Sequence, residues 1–238
     1  MRFSINLLFC FTLFASVDSY AEVVTDGSVG AVTNLSGYMK IPQSLGATVG
    51  NNLFHSFKTF NINTGESATF TGTDNIKNVI SRVTGTEIST INGLLKSEVG
   101  NANFYFINPN GVTFGANAQI DVPAAFHVST ADNVRFTDGS QFNATNPNAS
   151  SLTIAEPASF GFLGNSSANS GAINIQGSTL KFKQGQTLDV VARNIDVKNN
   201  AVLYVPAGEI RMVATQGDSS VSLQKIGNYN LPLLSYSP

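Results

Sequence analysis

A recurring spacing of apolar residues is the feature that most restricts the fold of this chain. Residues 111–121 align with residues 133–143 at an offset of 22, and the same offset relates two pairs of residues just before them. The matched pairs are Val112–Val134, Phe114–Phe136, Gln119–Gln141, Ile120–Phe142, Phe104–Phe126 and Phe106–Val128. A fixed step of about twenty residues is typical of repeat proteins, in which each unit stacks on the previous one.

The same step recurs in the second half of the chain and changes once between the two regions. Five further apolar pairs lie 22 residues apart: Ile173–Ile195, Ile175–Val197, Leu180–Val202, Leu188–Ile210 and Val190–Met212. Between the two regions a step of 26 matches Phe126–Leu152, Val128–Ile154, Val134–Phe160 and Phe136–Phe162. We interpret this longer step as a coil whose turn has lengthened near Asn146-Pro147-Asn148.

Within each step apolar residues alternate with polar ones, as in Val112-x-Phe114. A period of two indicates strands with one buried face. Asn- and Gly-containing clusters that suit tight corners separate the strands, and the 26 Asn residues suggest side-chain ladders at these corners. The pattern predicts an all-β parallel β-helix, a solenoid of about ten coils with about 22 residues per coil. A β-sandwich also has short alternating strands, but it gives no reason for side chains to match at a fixed offset.

The first residues contain the three parts of a secretory signal peptide in order. Arg2 supplies the positive start, residues 7–15 form an apolar run too short to span a bilayer, and Ser19-Tyr20-Ala21 is a small-residue cleavage site. We therefore predict a signal peptide over residues 1–21. Its removal takes away Cys10, the single cysteine of the chain.

The rest of the chain is predicted to be one domain. No low-complexity linker interrupts residues 22–238. Residues 22–70 match no 22-residue register and include an aromatic-rich segment. Because the first coil of a solenoid has to be covered, we expect residues 22–70 to form a cap and the first coils.

The sequence contains few candidates for catalysis or metal binding. It lacks phosphate-cradling, dinucleotide-binding, nucleophile-elbow and zinc-ligand motifs, so we predict no enzyme activity, no cofactor and no metal site. Asp121, Asp132 and Asp138 could cluster on neighbouring coils, as acids do in polysaccharide-cleaving β-helices, but solvated or corner positions are the simpler expectation. His127 is expected at the surface and His55 in a structural role. A net charge of −2 excludes the basic excess of a nucleic-acid binder.

Four segments, in order, resemble those of one protein family. They are Leu53-Phe54-His55-Ser56-Phe57, Ile80-Ser81-Arg82-Val83-Thr84-Gly85, Ile91-Asn92-Gly93-Leu94-Leu95 and Asn103-Phe104-Tyr105-Phe106-Ile107-Asn108-Pro109-Asn110-Gly111-Val112-Thr113-Phe114-Gly115. With these segments the chain resembles the N-terminal secretion (TPS) domain of two-partner secretion exoproteins of the filamentous haemagglutinin type. The resemblance covers about residues 22–238 and is firmest in the middle of the chain.

The resemblance implies a right-handed β-helix with an N-terminal cap and some extra-helical strands. It also implies that the POTRA repeats of a cognate outer-membrane β-barrel transporter recognise the chain in the periplasm of a Gram-negative-type bacterium. The product is then secreted or displayed at the cell surface, without stable membrane insertion.

The resemblance also assigns a partner-binding role in secretion to one tetrapeptide, formed here by Asn108, Pro109, Asn110 and Gly111. The family often has a second tetrapeptide, Asn-Pro-Asn-Leu, further upstream. Here that place is taken by Thr73-Asp74-Asn75-Ile76, so only Asn75 is carried over. Structurally, the Asn108–Gly111 segment is predicted to be a type I turn between two β-helix strands.

Two alternatives to a pure secretion module stay open. The first, compatible with secretion, is an adhesin that binds host or surface glycans or proteins along its β-helix. The second is a β-helical carbohydrate-active enzyme, whose activity would be lost in Asp121→Ala. Since the sequence stops at Pro238, we expect either an N-terminal fragment of a longer exoprotein or a very short exoprotein.

Overall fold

The computed structural model describes residues 22–164 and 171–223. Within these ranges the chain forms β-strands and two short 3-10 helices, Gln43–Leu45 and Pro147–Ala149, but no α-helix. The predicted signal peptide, residues 1–21, lies outside the described residues and stays a prediction. In chain order the strands are β1 (Val23–Thr25), β2 (Asn34–Leu35), β3 (Tyr38–Pro42), β4 (Ala47–Val49), β5 (Asn52–Phe60), β6 (Ser67–Thr71), β7 (Asn78–Val83), β8 (Ser89–Ile91), β9 (Leu94–Ser97), β10 (Asn103–Ile107), β11 (Gly111–Phe114), β12 (Gln119–Asp121), β13 (Phe126–Ser129), β14 (Asn133–Phe136), β15 (Gln141–Asn143), β16 (Pro157–Phe162), β17 (Ala172–Gln176), β18 (Thr179–Lys181), β19 (Thr187–Ala192), β20 (Asn194–Lys198), β21 (Val202–Tyr204), β22 (Glu209–Ala214) and β23 (Ser219–Ser222).

Three parallel sheets wind around one interior and form a β-solenoid of about 7 turns with roughly 25 residues per turn. Sheet A contains the parallel row β5-β7-β10-β13-β19-β22, sheet B the row β3-β6-β9-β12, and sheet C the row β8-β11-β17-β20. The parallel pair β18-β21 lies next to β12 but forms no ladder with it. The predicted parallel β-helix is therefore confirmed, although its turns are fewer and longer than the 22-residue step indicates.

Period-two alternation fills the interior with large apolar side chains. In β3, for example, Met39 and Ile41 are buried while Tyr38 is exposed. Aromatic rings then pack between rungs, with ring centroids 4.8 Å apart for Phe70 and Phe104. Burying one such side chain stabilises a fold by about 1.5–3 kcal/mol, so each rung is held mainly by the rungs beside it.

Asparagine side chains form the predicted ladder at the start of sheet A. Asn52, Asn78 and Asn103 occupy matched positions on β5, β7 and β10. Asn78 Nδ2 donates to Asn52 Oδ1 at 2.9 Å, and Asn103 Nδ2 donates to Asn78 Oδ1 at 3.4 Å. The steps between these residues are 26 and 25, which explains why the N-terminal third has no 22-residue register.

The 22-residue step is confirmed where two strands of one sheet lie on consecutive turns of the solenoid. The confirmed pairs are Phe104–Phe126, Phe106–Val128, Ile173–Ile195, Ile175–Val197, Leu188–Ile210 and Val190–Met212. One predicted pair is wrong by a single residue, because Leu180 pairs with Leu203 rather than with Val202.

The predicted stacking of Val112 on Val134 is wrong. β11 stacks on β17, so Val112 pairs with Ile173. Residues 133–162 instead leave the solenoid and contribute three strands to the antiparallel sheet D, whose order is β15-β14-β16-β23. Antiparallel strands have the same period-two pattern as solenoid strands, so alternation alone does not separate the two.

The 26-residue step is wrong for the same reason. β13 stacks on β19, so Phe126 pairs with Leu188 rather than with Leu152. Val134 does lie beside Phe160, but in the antiparallel strands β14 and β16. What the sequence indicated as one lengthened turn is therefore a whole excursion from the solenoid.

Sheet D covers the outer face of sheet A and creates a second apolar layer. Phe54 and Tyr105, which point away from the solenoid interior, are buried in the same cluster as Phe136 and Phe142. The rings of Phe54 and Phe142 lie 5.1 Å apart. The same cover leaves His127 only 6% exposed, so the prediction that His127 lies at the surface is wrong.

The two ends of the described solenoid differ. At the first end, β1 and β4 pair antiparallel with β5 and so cap the first strand of the parallel row in sheet A. At the other end, Val197, Ile210 and Met212 occupy interior positions in the last described rung but are 42–44% exposed.

No helix within residues 22–164 and 171–223 is long and apolar enough to cross a membrane.

Candidate functional site

The Asn108–Gly111 segment is a tight turn that joins β10 of sheet A to β11 of sheet C. The Gly111 N–H donates to the Asn108 carbonyl at 3.1 Å, and neither central residue has a positive φ. Pro at the second position and Gly at the fourth are typical of a type I turn. The predicted turn is therefore confirmed.

Two carboxamides bind this turn to the preceding rung. Asn108 is fully buried, and its Nδ2 donates to the Glu87 carbonyl and to Ser89 Oγ, both at 3.0 Å. Asn108 Oδ1 accepts the Asn110 N–H at 3.0 Å, and Asn110 Nδ2 donates to the Gly85 carbonyl at 2.7 Å. In the folded chain these side chains are therefore engaged inside the solenoid.

The following rung closes over the same turn. A Cβ on Gly171 would lie 2.1 Å from the Pro109 carbonyl oxygen, and a Cβ on Gly111 would lie 2.9 Å from the Ala172 carbonyl oxygen. Gly111 also has a φ of 131°, which other residues rarely adopt. The turn is thus packed between two rungs, and both glycines are required by close backbone approach.

Asn75 lies in a different environment. The Ile76 N–H donates to the Thr73 carbonyl at 3.2 Å, which makes Thr73–Ile76 a turn between β6 and β7. Asn75 is exposed, and its Oδ1 accepts the Thr73 hydroxyl at 2.5 Å. This corner joins sheet B to sheet A, whereas the tetrapeptide joins sheet A to sheet C, so the fold does not bring Asn75 into the Asn108–Gly111 turn.

The resemblance block on β7 contains a buried cation to which the sequence analysis gave no role. Arg82 is 1% exposed, and its Nε donates to Ser56 Oγ on β5 at 2.7 Å. Its Nη2 donates to Ser28 Oγ, in the segment between the cap strands β1 and β2, at 2.9 Å. Burial lowers the pKa of Arg82 to about 10, and the nearby Asp26 carboxylate opposes this effect, so the side chain is charged at neutral pH.

The same guanidinium reaches the excursion. Arg82 Nη1 donates to the Asn143 carbonyl at the end of β15 and to Ser150 Oγ, both at 2.5 Å. The guanidinium carbon lies 4.0 Å from the centre of the Phe142 ring, within cation–π range. One side chain therefore connects the cap, sheet A and sheet D.

Asp26 completes this polar junction. Its Oδ2 accepts the Ser56 hydroxyl at 2.6 Å and the Thr84 hydroxyl at 2.7 Å, and its Oδ1 accepts the Ser28 N–H at 2.8 Å. Burial by itself raises the pKa of Asp26, but these hydrogen bonds together outweigh it and hold the pKa below its usual value. Asp26 is thus a carboxylate that balances the charge of Arg82.

A second buried ion cluster lies on the outer face of sheet A. Tyr105, His127, Asp189 and Arg211 are successive register partners on β10, β13, β19 and β22. Asp189 Oδ2 lies 2.6 Å from His127 Nδ1 and accepts Arg211 Nη2 at 2.7 Å. Burial raises the pKa of Asp189, but the bonds from His127 and Arg211 outweigh it and lower the pKa. The Asp189 side chain is only 3% exposed. Its contacts with His127 on β13 and Arg211 on β22 link three neighbouring rungs.

The three carboxylates considered for catalysis lie on separate elements. Asp121 on β12 pairs with Lys183 at 3.0 Å. Asp138 lies in the turn between β14 and β15, and Asp132 accepts the Leu163 N–H at 2.7 Å at the base of the excursion. Within the described residues, no three His, Cys, Asp or Glu side chains are grouped to hold a metal ion.

The buried His55 makes the stability of the fold depend on pH. Burial lowers the pKa of His55 to about 3, an effect that the nearby Leu45 carbonyl opposes only in part. The unfolded chain takes up a proton near pH 6.5 that the folded chain does not, so stability is lost as the pH falls below that value. Between pH 7.5 and pH 5.5 we expect His55 to lower the free energy of unfolding by about 1.4 kcal/mol.

Urea unfolding at the two pH values measures this effect. His55→Phe removes the titrating ring while keeping an aromatic side chain beside Phe57 and Phe70. His127 remains in both proteins, so the difference between their pH slopes isolates His55. Equal slopes would contradict the prediction, whatever the absolute stability of the variant.

The chain matches the model of a known protein family over most of its length. A family model described as the TPS secretion domain matches residues 21–233. The chain belongs to this family. This match confirms the resemblance found in the sequence. No curated protein matches the chain. A TPS domain serves secretion through a two-partner system, which implies an outer-membrane transporter as the partner.

The resemblance blocks of the TPS domain form adjacent rungs. Leu53–Phe57 lies in β5, Ile80–Gly85 contains most of β7, and Asn103–Gly115 supplies β10 and β11. The roles of Asp26 and Arg82 were not predicted from the sequence. The sequence shows only that Arg82 follows the apolar residues Val79 and Ile80, and it does not show that every residue of β7 is buried.

Proposed function

We propose that the POTRA repeats of a cognate outer-membrane β-barrel transporter recognise this TPS domain in the periplasm, and that the domain crosses unfolded and folds outside. The supporting observation is the burial of the Asn108–Gly111 turn. Because Asn108 is fully buried and Asn110 bonds the preceding rung, a partner that binds these side chains has to meet them before the rungs close. Period-two strands in an unfolded chain suit binding by strand addition.

The last described rung of the solenoid supports a role in templating the folding of the chain that follows it. Within the described residues, β20, β21 and β22 are paired on one side only, and interior side chains of that rung are partly exposed. A rung in this state offers both unpaired main-chain groups and an apolar platform to the next segment of polypeptide. We propose that this rung templates the β-helix of whatever segment follows it outside the cell.

The POTRA proposal is tested with immobilised POTRA repeats of the cognate transporter. The chain is offered either directly after dilution from urea or after complete refolding. We expect the freshly diluted chain to bind at least about tenfold more tightly, because folding buries the tetrapeptide. Equal binding of the refolded chain would overturn the proposal.

Asn75 gives a second test, since its side chain is exposed in the folded domain. If Asn75 contacts the transporter, Asn75→Ala lowers the amount of secreted protein while the free energy of unfolding changes by less than about 1 kcal/mol. Asn101→Ala, at an exposed position in the corresponding corner one rung later, is the matched control. Normal secretion of Asn75→Ala would remove Asn75 from the partner-binding set.

The exoprotein is proposed to be an adhesin of the filamentous haemagglutinin type, displayed at the cell surface or released. This part of the proposal is supported by the resemblance of the four sequence blocks. No catalytic step is assigned to the chain, since Asp121, Asp132 and Asp138 each take part in separate contacts. The adhesin role is tested by measuring binding of the purified secreted product to host cells. Medium from cells that lack the cognate transporter is the control.

A further inference from the structure

A groove interrupts the solenoid between β12 and β18. Sheets A and C are continuous at this level, since β13 pairs with β19 and β11 pairs with β17. On the side of sheet B no ladder joins β12 to β18, and a groove of about 420 Å³ lies between them. Residues of β9 and β12 that line it include Leu94, Gln119 and Ile120.

A side chain replaces the missing main-chain bonds at the end of this groove. Gln186 Nε2 donates to the carbonyls of Val122 and Ala124 at 2.8 and 2.9 Å. Gln186 Oε1 accepts the Lys183 N–H at 2.7 Å. Gln186 thus holds the two rungs together just beyond the groove, so the gap is a built part of the fold.

Main-chain polar groups face the groove from both sides. The Gln119 N–H donates toward β9, so the alternating neighbour Ile120 directs its N–H and carbonyl toward β18. On the other strand, the Phe182 N–H donates to Tyr204 on β21, so the main-chain groups of Lys181 face β12. Within the described residues these groups have no main-chain partner across the gap, and they are left to bond solvent or a ligand.

The side chains at the groove carry one unpaired positive charge. Asp121 is neutralised by Lys183 at 3.0 Å. Lys181 and Gln119 are exposed and form no ion pair or side-chain hydrogen bond with any described residue. Tyr204, the register partner of Lys181 on β21, is 55% exposed and offers a ring next to the Lys181 strand, one strand away from the groove. An ammonium, a carboxamide and an aromatic ring next to free main-chain groups form a polar site rather than an apolar one.

We infer that this groove binds one acidic sugar unit of a polysaccharide. The carboxylate or sulfate of the sugar pairs with the Lys181 ammonium, and its hydroxyls bond the Gln119 carboxamide and the free main-chain groups of Ile120 and Lys181. The Tyr204 ring packs against the face of the neighbouring sugar. Neutral sugars lack the charge-assisted bond, which is the strongest of these contacts. This site goes beyond the secretion role and does not depend on the transporter.

Titration calorimetry on the folded chain tests the inference with three probes. Trigalacturonate carries carboxylates, a heparin-derived tetrasaccharide also carries sulfates, and maltotriose is neutral. We expect saturable binding of at least one acidic probe, at least about tenfold tighter than maltotriose. The two acidic probes distinguish a carboxylate-specific from a sulfate-specific site.

Lys181→Gln locates the site, and Lys58→Gln is its charge-matched control on sheet A, where Lys58 is exposed. We expect Lys181→Gln to weaken acidic-probe binding at least about tenfold, with Lys58→Gln within about twofold of the original chain. Absence of saturable binding, or equal weakening by both substitutions, would overturn the inference. Thermal unfolding of both surface variants verifies that each is folded.

Discussion

Replacing Arg82 with Met is expected to lower the free energy of unfolding by about 3–5 kcal/mol. Met keeps most of the side-chain volume but makes none of the bonds to Ser56, Ser28 or Asn143. It also leaves the half-buried Asp26 carboxylate without its nearby cation, which adds to the loss. The loss should be visible in urea unfolding at pH 7.

The position of Arg82 predicts where the molecule loosens first. Hydrogen exchange in Arg82→Met should accelerate around Ser28 in the cap segment and around residues 141–150 in the excursion, because Arg82 joins both to sheet A. Arg135→Met is the control, since Arg135 lies on the same excursion and is only partly buried. A loss below about 1 kcal/mol in Arg82→Met, or equal losses in both variants, would contradict the assigned role.

Asn108→Ala is expected to cost about 2–4 kcal/mol of unfolding free energy. The substitution removes two donated bonds and two bonds accepted from Asn110 at a fully buried site, and it leaves the Glu87 carbonyl and Ser89 Oγ without that donor. A buried group that loses its partner costs about 1–3 kcal/mol. Urea unfolding measures the loss, and hydrogen exchange should show the corner between β10 and β11 opening.

The exposed Asn101 supplies the comparison, since Asn101→Ala should change stability by less than about 0.5 kcal/mol. Similar values for both variants would show that the Asn108 carboxamide does not hold the turn. Measuring secretion of the same two proteins then separates two uses of the tetrapeptide. A defect in folded product outside the cell with intact POTRA binding would assign Asn108 to folding alone.

Local periodicity predicted the solenoid but not its connectivity. Phe104 on Phe126 and Leu188 on Ile210 were found because consecutive rungs repeat side chains at a short, fixed distance along the chain. Val112 on Val134 failed because a hairpin strand alternates in the same way as a rung. The number of turns was overestimated because residues of the excursion were counted as coils and because the N-terminal steps of 26 and 25 residues are longer than 22.

Some features of the candidate site could likewise be predicted from the sequence, and others could not. The type I turn at Asn108–Gly111 was predictable, since turn geometry depends on a few neighbouring residues. The burial of His127 and the junction at Arg82 were not predictable, because both require sheet D to lie over sheet A. That arrangement joins residues from distant parts of the sequence, and no local pattern contains it.

The departure of sheet D from the solenoid sets a limit on how evenly the molecule assembles. In sheet C, Phe114 has Ile91 as its neighbour on one side and Ile175 on the other, which lie 23 and 61 residues away along the chain. Entropy of loop closure makes the second contact slower to form than the first. If the domain folds from its N-terminus outside the cell, as we propose, we expect growth to advance quickly to β13 and then to pause until residues 130–171 are available. During that pause, docking of the β14–β15 hairpin onto β5, β7 and β10 would stabilise the early rungs and slow their unfolding before the next rung forms.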